Sequence, residues 1–192
     1  MAAWHQSFSF WIAAPVRREL GVRTLFNCLG PLANPAGATF QLLGAYSDAI
    51  RPILAESLRR LGSEKAWVIH SLDGMDEVSP YVSTRVTELD GQKLKEFELG
   101  PADFGLEPSE KGAIAGADPD YNAKALEDVL ACKPHLARNA FILNAAAALV
   151  VAESLPLCDA AKRMREVLDS GAAIQKLNDW RQAATRHSQT KV

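Results

Sequence analysis

Cysteine is scarce in this chain: three in 192 residues, with no CxxC among them. Cys28, Cys132 and Cys158 are odd in number and far apart. That excludes a disulfide framework or a zinc site by pattern, and the three are expected as buried thiols in a reducing cytosol. Met1–Gln6 lacks a basic segment leading into an apolar core, so no secretory signal is expected. The apolar runs at Phe8–Ala14 and Asn139–Ala152 are too short or too alanine-rich for membrane spans. A cytoplasmic protein with no membrane partner is the expectation. No excess of positive charge is present either. The net charge of −2 argues against a basic nucleic-acid footprint, and no nucleic-acid partner is expected. GxSxG, P-loop and GxGxxG patterns are missing, which removes support from hydrolase and dinucleotide-binding readings. There is no internal repeat and no low-complexity linker.

What remains is an ordinary globular composition, 48% apolar and 23% charged, long enough for one substantial domain or a large piece of a bigger one. Thr39–Tyr46 is short, apolar and bounded by turn residues, which predicts a buried strand. Ser47-Asp48 offers a cap for a helix through Leu61 that Gly62 stops. Ala66–His70 is a second buried strand, and this βαβ order implies parallel strands with a right-handed crossover. Thr84–Leu89 alternates like a half-buried strand, and Asp90-Gly91 turns it back through Lys93–Leu99 as a hairpin. Gly100–Gly116 is expected as loop. Helices follow from Asp118 or Asp120 to about Ala131, over Arg138–Ala152, Leu157–Asp169 and Gly171–Ala184, with Arg186–Val192 a frayed tail. The sequence thus predicts an α/β fold, a central mostly parallel sheet flanked by helices, with a β-hairpin.

Two stretches could carry chemistry. Arg17, Arg18 and Arg23 precede Asn27–Pro35, a segment with neither helical nor strand period that is stiffened at Gly30-Pro31 and Asn34-Pro35. Cations beside a rigid loop with available N–H groups suit an anion-binding wall. The alternative is solvated arginines followed by a plain connection, and spacing does not choose between them. Asp73-Gly74-Met75-Asp76-Glu77 follows a buried strand, at the end where open α/β sheets bind ligands. Adjacent carboxylates at Asp76 and Glu77 repel unless a cation neutralises them, and Mg²⁺ held by one or two carboxylates plus substrate phosphates is the usual arrangement. An acidic surface turn is the other reading. His5, His70, His135 and His187 share no ligand spacing, and His70 is expected to be structural. Asn144, inside a nearly all-apolar helix, requires buried hydrogen-bond partners.

Taken in order, Pro15–Thr24, Phe26-Asn27, Leu29-Gly30-Pro31-Leu32, Asn34-Pro35, Asp73–Glu77, Asp103-Phe104-Gly105, Asn144–Ala147 and Ser170-Gly171 resemble the anthranilate phosphoribosyltransferase family, over about residues 14–177. The resemblance implies transfer of phosphoribosyl from phosphoribosyl pyrophosphate to the amine of anthranilate, with Mg²⁺ as cofactor and a homodimer as assembly. It implies that Arg17 contacts the anthranilate carboxylate, that Gly30 and Pro31 line the same pocket, and that Asp76 and Glu77 bind Mg²⁺. It assigns no catalytic acid or base to this segment. The resemblance departs at Gln6–Trp11, where the family has a His-Pro-Ala-Met segment, and at Val78–Thr84, where it has a more Gly- and Thr-containing turn. The family's helical dimerising region and Gly-rich phosphate loop are expected upstream and missing here. The implied organisation is a divergent segment over residues 1–13, a partial α/β transferase domain over 14–185 and the tail 186–192. Such a piece is expected to be inactive alone, with Phe8, Phe10, Trp11 and Ile12 on a sticky surface. A non-catalytic remnant that binds an anion or partner stands as the rival reading. A nucleoside-phosphorylase-like or paralogous transferase of the same fold is another.

Overall fold

A computed structural model of the chain describes residues 37–189 and, before them, Glu19, Gly30, Leu32 and Ala33. Strand β1 (Phe40–Gly44) leads through a 3₁₀ turn (Asp48–Ile50) into helix α1 (Arg51–Arg60). Strands β2 (Lys65–Ser71), β3 (Thr84–Asp90) and β4 (Lys93–Leu99) follow, then a second 3₁₀ turn (Pro101–Phe104). Helices α2 (Pro119–Leu130), α3 (Arg138–Glu153), α4 (Leu157–Asp169) and α5 (Ala172–Gln189) complete the described chain.

The sheet has the order β1-β2-β3-β4. β1 runs parallel to β2, with Gly44 opposite Ile69, whereas β2–β3 and β3–β4 are antiparallel. The α/β architecture and the hairpin are as the sequence predicts. The expected preponderance of parallel pairing is not: among the described residues the sheet is mixed. The reason lies in the connections: only the β1–β2 link carries a helix, α1, across the sheet, the loop over 72–83 between β2 and β3 has none, and the tight turn at Gly91, at φ +59°, can join only antiparallel neighbours.

Strand alternation divides the core between the two faces of the sheet. Leu43, Ala66, Val68 and Leu89 pack on Leu54, Ala55 and Leu58 of α1. Trp67, Ile69, Val86 and Leu99 pack on Ile142, Leu143, Ala146, Ala147 and Val150 of α3 and on Ala160 and Ala161 of α4. The run of alanines lets α3 lie close to the sheet, which is why a helix so uniformly apolar is a core helix. Phe104, only 1% exposed, plugs the same layer from the Asp103-Phe104-Gly105 turn, which Asp103 closes by accepting the Gly100 N–H at 2.7 Å.

Helix ends follow the sequence with two exceptions. Gly62 stops α1 at φ +85°, and Asp118, of the two aspartates considered, caps α2 by accepting the Tyr121 N–H at 2.8 Å. At the start of α1, by contrast, Ser47 makes no side-chain cap and Asp48 turns to arginines instead. At the other end of the chain α5 runs on to Gln189, so residues 186–189, expected as frayed tail, are helical. Among the described residues no single helix is long and apolar enough to cross a membrane.

Candidate functional site

A cavity of about 630 Å³ opens at the carboxyl ends of β1 and β2. Gly44 and Ile69 form its floor and Met75, Asp76 and Glu77 one rim. Residues 113–116 and the start of α2 form the opposite rim, with His135, Phe141 and Asn144 between them. The acidic segment thus stands just past the carboxyl end of β2, as its place after a buried strand predicts. Asp76 and Glu77 are both exposed at that rim.

The acidic loop is fixed by its backbone. Ser71 N–H donates to Met75 C=O at 2.9 Å and Gly74 N–H to Ser71 C=O at 2.9 Å, folding the turn after β2. The Ser71 hydroxyl lies 2.5 Å from the Glu77 carbonyl and 2.6 Å from Thr84 Oγ1. The Ser79 hydroxyl donates to Asp73 at 2.7 Å and accepts the Tyr81 N–H at 3.0 Å. Asp73 is thus occupied within the loop, and Asp76 and Glu77 are the acidic residues that line the cavity. Gly44 explains the close fit of β1 to the loop: a Cβ there would stand 1.9 Å from the Asp76 carbonyl oxygen.

Two asparagines, one on each side of the cavity, hold backbone segments in the same manner. Asn144 on α3 accepts the Val78 N–H at 2.9 Å and donates to the Val78 C=O at 3.1 Å. Its second N–H goes to Ala140 C=O at 3.1 Å, so both amide hydrogens and the carbonyl are used. Asn122 on α2 accepts the Ala117 N–H at 3.0 Å and donates to the Ala117 C=O at 3.1 Å. Tyr81 joins the rims, its hydroxyl accepting the Ile114 N–H at 3.2 Å. His135 accepts the Ala137 N–H on Nδ1 at 3.1 Å, which places the proton of the neutral ring on Nε2. His70, expected to be structural, donates from Nδ1 to the Ala45 C=O at 2.8 Å.

The donor set fits Mg²⁺. Asp76 and Glu77 are hard oxygen donors. Among the described residues no group of three His, Cys, Asp or Glu gathers to form an all-protein cage. Mg²⁺ asks for none, since it keeps waters and completes its shell with phosphate oxygens.

Arg17 and Pro31 lie outside the described residues, as do Arg18, Arg23 and the apolar Phe8–Ile12. Gly30 is described: it is exposed in a helical turn, its carbonyl accepting the Ala33 N–H at 3.3 Å, and it is not among the residues lining the cavity. The cysteine expectation is corrected at both described positions, since Cys132 and Cys158 are exposed. Cys132 sits just past the end of α2 at φ +58°, and Cys158 in the first turn of α4, where neither side chain has a core to enter. Sequence reasoning asked for partners around Asn144 without locating them, and it gave His135, Asn122 and Tyr81 no role at the site. Their only signal was position in segments bordering apolar helices.

Fold and cavity together define an α/β domain that presents paired carboxylates at the strand ends of its sheet. The chain belongs to the glycosyl transferase family, matching its a/b domain over residues 1–174. Within it, the chain is similar to the anthranilate phosphoribosyltransferase of Rhodospirillum rubrum, 47% identical over 165 residues, which cover 85% of this chain and 48% of the relative. The Agrobacterium fabrum enzyme of the same name is 48% identical over 165 residues, with 85% and 48% covered. Among solved structures, anthranilate phosphoribosyltransferase from Thermus thermophilus superposes with a TM-score of 0.78 at 38% identity, over 87% of this chain and 50% of that one. The Saccharomyces cerevisiae enzyme in complex with PRPP and Mg gives 0.77 at 31% identity, over 86% and 48%. The chain spans about half the length of the curated relatives it matches.

Proposed function

We propose that this chain serves the transfer of phosphoribosyl from phosphoribosyl pyrophosphate to anthranilate, giving N-(5-phosphoribosyl)anthranilate and pyrophosphate in tryptophan biosynthesis. The observation that carries the reading is the carboxylate pair, Asp76 and Glu77, on a braced loop at the cavity rim of a chain 47% identical to a named anthranilate phosphoribosyltransferase. In the reaction the amine nitrogen bonds to the ribose carbon, the carbon–oxygen bond to pyrophosphate breaks, and the amine gives up a proton to solvent. Bound Mg²⁺ neutralises charge on the departing pyrophosphate. Asp76 and Glu77 would hold that ion, and Arg17 would engage the anthranilate carboxylate through its two-pronged guanidinium. Positioning and charge neutralisation are the chemistry required, so no general base is assigned to these residues.

The test is growth of a tryptophan auxotroph blocked at this step, supplied with the 192-residue chain alone or with a segment matching the other half of the relatives' length. Growth in the paired arm is expected. No growth in either arm counts for a non-catalytic remnant. In the reconstituted enzyme, Arg17→Ala should raise the KM for anthranilate at least tenfold and that for phosphoribosyl pyrophosphate little, because a lost charged hydrogen bond is worth roughly 1.5–3 kcal/mol. An unchanged anthranilate KM removes the carboxylate role.

A further inference from the structure

The geometry points to Asn144 as a positioning residue that, together with Gly44, sets where the Asp76–Glu77 carboxylates stand. The inference rests on the metal reading given above and goes beyond it, because the Asn144 amide is engaged with backbone groups and Gly44 has no side chain, so each acts through the loop. Asn144 lies 66 positions from Val78 in sequence, yet its amide engages both the N–H and the C=O of that residue. Val78 is fully buried and directly follows Glu77, so the clamp acts one peptide from a proposed ligand. The third bond, to Ala140 C=O, ties the amide to its own helix and prevents it from following the loop. The orientation is unambiguous, since an N–H can only donate and a carbonyl can only accept.

Gly44 acts from the opposite side. The backbone of Asp76 passes so close to it that any side chain would displace the loop. Asp76 is thus set against β1 and the residue after Glu77 against α3. Two adjacent exposed carboxylates repel, and a free loop would let them swing apart. Fixing the backbone on both sides removes that freedom before a cation arrives. Groups that orient metal ligands in this way are typically worth roughly 10–100-fold in metal affinity.

The experiment uses the full 192-residue chain and Mn²⁺ with inorganic pyrophosphate as probes. Affinity is read from water-proton relaxation, and loop order from amide hydrogen exchange at Val78. Asn144→Leu is expected to weaken Mn²⁺–pyrophosphate binding at least tenfold and to speed exchange at Val78. Gly44→Ala is expected to weaken binding comparably while keeping Asn144, and it carries the test if Asn144→Leu does not fold. Val151→Ala, in the core face of α3 away from the loop, is expected to lower the melting temperature with binding unchanged. Wild-type affinity in either loop variant, or an equal loss in Val151→Ala, overturns the inference and leaves the metal reading standing. No binding by the wild-type chain, alone or paired with a segment matching the other half of the relatives' length, overturns both.

Discussion

Among the described residues Arg51 is the one charged residue that is buried. It is 6% exposed, and its guanidinium donates to Asp48 at 2.9 Å and to Thr87 and lies 3.4 Å from Glu96. Asp48 also accepts from Arg85 at 2.7 Å, and Arg85 pairs with Glu98 at 3.1 Å. A buried guanidinium without partners would be strongly unfavourable, so this network is what permits α1 to start on the sheet. The Arg51 hydrogen bond, aided by Arg85, holds the Asp48 carboxyl below the usual carboxylate range. A lowered folded-state pKa stabilises the fold above the unfolded value of about 3.9, and that stabilisation fades as pH falls through the folded value. Asp48→Asn should therefore lower stability at pH 7 by about 1 kcal/mol, a modest figure because Asp48 is more than a third exposed. The gap to wild type should narrow as pH falls through the lowered folded-state value, where the carboxyl takes up its proton. Thermal melts across pH 7 to 2.5 check this, and a gap that persists at low pH would contradict it.

The helices and loops differ in how their ends are secured. Asp118 closes α2 with one side-chain bond to Tyr121 N–H, behind Pro119 in the first turn. Asp118→Ala should cost about 1 kcal/mol, read from urea unfolding with unchanged m-value. Asp118→Asn should restore most of it, because the asparagine carbonyl caps as well as a carboxylate. α1 is secured differently, by Pro52 in its first turn and by Glu56, which pairs with Arg59 and Arg60 at 2.7 Å. Those arginines, Arg59 first, draw the Glu56 carboxyl down to about 2. Helix ends and the hairpin were legible in the sequence because they depend on near neighbours: Gly62, Asp118 and Gly91 each act within a few residues. The start of α1 was not. Asp48 had a local capping role on offer, but Arg51 and, from β3, Arg85 supplied a stronger charged partner.

At the scale of the whole molecule, stability should be uneven. β2 and β3 are interior strands whose alternate residues reach both cores, and most of their residues are buried. α5 is exposed along most of its length, with Trp180 at 73%, and is joined to α2 by the Arg181–Glu127 pair. Native-state amide exchange should be slowest in β2 and β3 and fastest, among the helices, in α5. Equal protection across α3 and α5 would show that α5 is packed more firmly than its exposure indicates. The mixed pairing of the sheet belongs to this scale too. A buried apolar strand has the same composition whether its neighbour runs parallel or antiparallel, so the residues of β2 could not announce that one neighbour runs each way.

By itself the sequence determined the strand and helix pattern, the carboxyl-end placement of Asp76 and Glu77, and the family to which the chain belongs. Each of these follows from residue order and short-range periodicity, which the chain carries whether folded or not. Only the tertiary structure decided which acidic residues line the cavity, that Asn144 seizes Val78, and that Gly44 must lack a side chain. Those outcomes depend on groups tens of residues apart meeting within hydrogen-bond or van der Waals range. No spacing along the chain encodes such a meeting until the sheet and α3 are packed.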